Sequence, residues 1–169
     1  MNKKIRQYVG LLSAVLAYYL VHEGAHFVYA LSAGVFERIN FMGIGVQIAV
    51  ASERMSPLQL GIFCLVGAVA TAVTAYILTL TAPKICGARS MVFRACMYYI
   101  TMAMLLIDPL YLSVLCGLFG GGDMNGIALL IPEWIARSLF GVLLVLHFLL
   151  FRKVVLPEYK RSFAESNAR

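Results

Sequence analysis

The chain has 169 residues, of which 62% are hydrophobic and only 13% charged, and its mean hydropathy is +0.86. That balance excludes a soluble globular domain and leaves room for about four spans of roughly 20 residues, in one membrane-embedded domain covering 1–169. The formal charge of +6 sits at the termini and in one connection, not in a stripe with interleaved aromatics, so the bilayer is the expected partner and nucleic acid is not.

The first apolar run, 8–33, follows the basic segment Lys3, Lys4 and Arg6. A signal peptide would share that outline, with Ala30 and Ser32 as small residues near a cleavage site. The run is long enough to span, however, and it contains His22-Glu23-Gly24-Ala25-His26, for which a signal sequence has no use. This is H-E-x-x-H, a zinc-binding motif. Positions i and i+4 share one helix face, so His22 and His26 can present imidazole nitrogens to one ion. Glu23, beside the first ligand, is placed to act as general base towards water. Ionisable groups inside a span are expensive, which makes the cluster a functional-site hypothesis by default.

The connection 34–56 alternates Met42, Ile44, Val46, Ile48 and Val50 with Gly43, Gly45, Gln47 and Ala49, the period of a strand. The second span, 57–82, carries Gly67, Thr71 and Ala75 at four-residue spacing, a small-residue series suited to close helix packing. The next connection contributes Lys84, Arg89 and Arg94, and the tail 152–169 adds Arg152, Lys153, Lys160, Arg161 and Arg169. By the positive-inside rule both termini and this connection are cytoplasmic. Cys64, Cys86, Cys96 and Cys116 form no C-x-x-C pair and read as small core residues.

A catalytic zinc site needs a third protein ligand. In the third span, 92–119, Asp108 lies about fifteen residues from Phe93, as His22 does from Tyr8, so at about 1.5 Å per residue the two share a depth. Pro109 would free backbone groups there. Asp123, after Gly120-Gly121-Gly122, is the alternative, delivered by a re-entrant loop, with an exposed turn as its plainer reading. Depth favours Asp108. His147, in the fourth span, 132–151, is expected at the cytoplasmic interface, apart from the motif.

On these residues the chain resembles the site-2 protease family of intramembrane zinc metalloproteases, in particular small, divergent bacterial members. His22, Glu23 and His26 match the family's first core helix, where they serve as two zinc ligands and the general base. Residues 34–51 look like its strand or hairpin, whose edge can pair with an unwound substrate. Gly67 matches the glycine of the family's Gly-Pro-x-x-Asn helix, with Ala68 in place of proline and Thr71 near the asparagine. Gly122-Asp123 resembles the family's Leu-Asp-Gly, which raises Asp123 against Asp108, and Asp108-Pro109 falls where an Asn-x-x-Pro segment would.

The expectation is therefore an all-α polytopic membrane protein with about four transmembrane helices and a short strand-like segment after the first. The resemblance implies a zinc-dependent endopeptidase of the bacterial cytoplasmic membrane that cleaves transmembrane or membrane-adjacent segments of membrane-protein substrates. A metal-binding or degenerate membrane protein acting in partner binding or assembly is the alternative.

Overall fold

The computed structural model describes residues 2–42 and 45–167. Its elements in chain order are α1 (Lys3–Ser32), β1 (Phe36–Met42), β2 (Gly45–Val50), α2 (Pro57–Cys86), α3 (Met91–Leu110), α4 (Asp123–Ile127), α5 (Glu133–Leu150) and α6 (Leu156–Asn167). Four helical stretches, Lys3–Ser32, Pro57–Cys86, Met91–Leu118 and Glu133–Glu165, are long and apolar enough to cross a membrane.

Local chemistry sets the boundaries. Ser56 and Gln59 close a reciprocal capping box and Pro57 takes the first helical position, so α2 begins abruptly. Ser90 caps α3 through the Phe93 amide. Along the long helices many exposed side chains are apolar, among them Leu12, Leu16 and Leu20 on α1 and Leu80 on α2, whereas His22, His26, Thr71, Asp108 and His147 are buried. This is the inversion hydrocarbon demands, with polar groups turned towards one another inside the bundle.

The strand-like segment is an antiparallel hairpin with pairings Ile39↔Ile48 and Phe41↔Val46 and an irregularity between Phe36 and Arg38. Of the alternating run, Gly43 and Ile44 lie outside the described residues. The hairpin packs beside the end of α1, where Val35 and Ile48 join a core with Ala30, Phe63 and Leu112.

Two features depart from expectation. The segment read as a basic tail is helical. It continues α5 through a π-helical turn, Phe151–Val155, into α6, and buries Val155, Tyr159 and Ser162 against the bundle. His147, expected at the cytoplasmic interface, is buried inside the bundle with 2% exposure. Proline lacks the amide that would bond the carbonyl four residues earlier, so Pro109 leaves the Leu105 carbonyl without its helical donor. His147 Nδ1 takes that carbonyl at 2.7 Å, and its Nε2 meets the Tyr76 hydroxyl at 2.7 Å. One imidazole thus ties α5 to both α3 and α2.

Beyond Pro109, α3 loosens into a π-helical turn, Tyr111–Leu115, and a 3-10 turn, Cys116–Leu118. Arg137 of α5 donates to the Ser113 and Val114 carbonyls at 3.1 and 3.3 Å, satisfying acceptors at this end. Gly120, Gly121 and Gly122 all have positive φ, at 77°, 87° and 48°. Such a run, costly for residues with a Cβ, turns the chain back into the bundle with Asp123 at the start of α4. Close approach of Gly126 to Cys64 seats α4 on α2.

Candidate metal centre

His22 and His26 occupy successive turns of α1, with ring centroids 4.9 Å apart. Their Nε2 atoms lie 3.2 Å from each other. Asp123 Oδ2 lies 3.2 Å from His22 Nε2 and 3.5 Å from His26 Nε2. Three donor atoms from α1 and the glycine-rich loop therefore converge, and they form the one such group of His, Cys, Asp and Glu among the described residues.

Asp108 has the height expected for it but meets the opposite ring nitrogen. It lies 3.1 Å from His22 Nδ1, and both of its oxygens are otherwise engaged. Tyr18 donates to Oδ1 and Thr71 to Oδ2. Tyr18 precedes His22 by one turn and stacks on its ring, with centroids 5.2 Å apart and planes inclined by 25°. The carboxylate opposite Nδ1 fixes the proton on that nitrogen and leaves the Nε2 lone pair directed at the convergence point.

That distribution tests whether a metal fits. His22 Nε2 and Asp123 Oδ2 both offer lone pairs. One proton on His26 Nε2 can serve a single contact, whereas a cation serves all three atoms. In a tetrahedral zinc site with bonds of about 2.0–2.1 Å, adjacent donors are separated by about 3.3 Å. Edges of 3.2, 3.2 and 3.5 Å match that spacing. His26 Nδ1 is buried with no hydrogen-bond partner among the described residues, so only His22 has a carboxylate behind its ring.

Gly67 makes the room. A Cβ there would sit 2.6 Å from His26 Nε2 and 2.8 Å from His22 Nε2. Part of the small-residue series on α2 thus accommodates imidazoles as well as a neighbouring helix.

The three donors open onto a cavity of about 530 Å³ whose walls include Glu23, Gln47, Ile48, Phe63 and Tyr111. Glu23 is half-buried on α1 and lies by the backbone amide of Ile48 in β2, so the hairpin forms part of the cavity wall. Comparison with protein-family models, curated proteins and solved structures found no match. Sequence reasoning did not single out Tyr18 or Tyr111. Tyr18 carried one usable signal, its place a helical turn before His22.

Proposed function

We propose that this chain is an intramembrane zinc metalloprotease of site-2 protease type, hydrolysing peptide bonds in transmembrane or membrane-adjacent segments of other membrane proteins. The observation that carries the proposal is the triangle of His22 Nε2, His26 Nε2 and Asp123 Oδ2 at tetrahedral-site spacing, beside Glu23 and open to a cavity. His22, His26 and Asp123 would hold the ion, with Asp108 a positioning residue behind His22.

Zinc, when bound, supplies Lewis acidity that polarises the scissile carbonyl and acidifies water. Glu23 takes the proton from the attacking water and returns it to the leaving amine, so atoms and charge balance over one turnover. Asp108 keeps the His22 ring oriented and its distal nitrogen basic, while Tyr18 and Thr71 hold Asp108. The β2 strand beside Glu23 offers backbone groups to an extended substrate, which must unwind because helical peptide bonds are already paired. The N-terminus, the α2–α3 connection and α6 carry the basic residues, which supports a cytoplasmic placement for that end and for both termini.

The test pairs zinc analysis of the purified chain with cleavage of a quenched fluorescent transmembrane peptide reconstituted with it. Zinc at one per chain that survives Glu23→Gln, with cleavage reduced about 10²- to 10⁴-fold, is the expected result. Absence of zinc, or cleavage indifferent to Glu23→Gln, overturns the reading. Zinc with no cleavage by the wild-type chain supports the non-proteolytic metal-binding alternative.

A further inference from the structure

At the end of the bundle opposite the hairpin, the start of α1, the first turns of α3 and α6 enclose a second cavity of about 420 Å³. Lys3, Arg6 and Lys160 line it, with Tyr98, Tyr99 and Phe163 among its walls, and among the described residues no carboxylate lines it. Arg6 is held in place by its neighbours. Its guanidinium carbon lies 5.4 Å from the Phe163 ring centroid, and Nη1 is 3.3 Å from Met91 Sδ. Neither contact neutralises its charge, and none of Lys3, Arg6 and Lys160 is in an ion pair among the described residues. Among the described residues, three cations therefore share one recess without a counter-charge.

We propose that this recess binds the phosphate-bearing headgroup of an anionic phospholipid. The cations match a phosphodiester, and the aromatic walls suit the less polar glycerol region, as interfacial Tyr and Trp do. Ala95, Leu156 and the rings of Tyr98, Tyr99 and Phe163 give the recess an apolar wall beside its cations. A free phosphate ion would use the cations but not that wall. Because α6 supplies Lys160 and Phe163, a bound lipid joins α6 to α1 and α3.

The experiment measures binding of phosphatidylglycerol and phosphatidylcholine to the purified full chain by native mass spectrometry, with inorganic phosphate as competitor. Phosphatidylglycerol is expected to bind in preference. The double variant Arg6→Gln, Lys160→Gln is expected to weaken it about 20- to 30-fold, roughly fivefold per cation. Lys84→Gln, Arg89→Gln, which removes two cations outside the recess, is expected to leave it within about twofold, and Arg6→Lys to retain most of it. Equal binding of the two lipids, no effect of the double variant, or an equal loss in the Lys84, Arg89 control would each overturn the site. Full displacement by inorganic phosphate would overturn the lipid assignment.

Discussion

Asp108 and Asp123 stand on either side of one imidazole ring and reach it by different means. Asp108 sits mid-span on α3, 2% exposed, with both oxygens taken by hydroxyls and its only histidine contact at His22 Nδ1. Asp123 comes from a loop of three positive-φ glycines and meets the Nε2 atoms of both histidines from the cavity side. A carboxylate surrounded by donors is immobilised and has little left to give an ion. One brought to the wall of a cavity by a glycine loop directs an oxygen at both rings. The contrast divides the candidate metal site into a helix-borne back and a loop-borne front.

The sharpest way to break that division is to remove each carboxylate in turn and measure zinc retained after dialysis. Asp123→Ala should take zinc from near one per chain to near zero, as loss of a ligand from a three-residue set requires. Asp108→Asn should retain the ion with affinity reduced about 10- to 100-fold, the range for an orienting partner behind a ligating histidine. The reverse ranking would exchange their roles. Gly120→Ala probes the front by itself. Its φ is +77° and a Cβ would meet nothing within 4 Å, so the left-handed backbone alone is penalised, by about 1–2 kcal/mol. Titration with a competing chelator should show zinc bound about 5- to 30-fold more weakly if that strain displaces Asp123. The smallest change is expected for Thr71→Val, which removes one hydroxyl donor to Asp108. The same titration should register a loss of about 1 kcal/mol, and Tyr18→Phe should behave alike.

What the sequence made legible follows from range. H-E-x-x-H is a local pattern, and the i, i+4 geometry brings His22 Nε2 to His26 Nε2 without help from the rest of the fold. The spans follow from composition, and the hairpin's second strand from its alternation. Counting residues along two helices placed Asp108 at the height of His22. It could not say which ring nitrogen Asp108 would face, because rotation about a helix axis is set by packing against α2 and α1. The return of Asp123 depended on glycines being visible as a turn and on Gly126 fitting against Cys64, and the second of these is a tertiary fact. The α6 helix escaped notice because hydropathy falls where its charged face begins, although Val155, Tyr159 and Ser162 lie buried along it. The burial of His147 was not legible for a different reason: it rests on a carbonyl left bare by a proline in another helix.

That last arrangement bears on the route by which a polypeptide could reach Glu23. Parting α5 from α3 would strip the Leu105 carbonyl of His147 and leave the Ser113 and Val114 carbonyls without Arg137. In hydrocarbon each exposed group costs several kcal/mol. The α3–α5 seam is therefore a sealed wall, riveted at two heights. Among the described residues no comparable bond ties the hairpin flank, whose Gln47 and Ile48 border the cavity, to α5, and under the proposed function that flank is the side offered to a substrate chain.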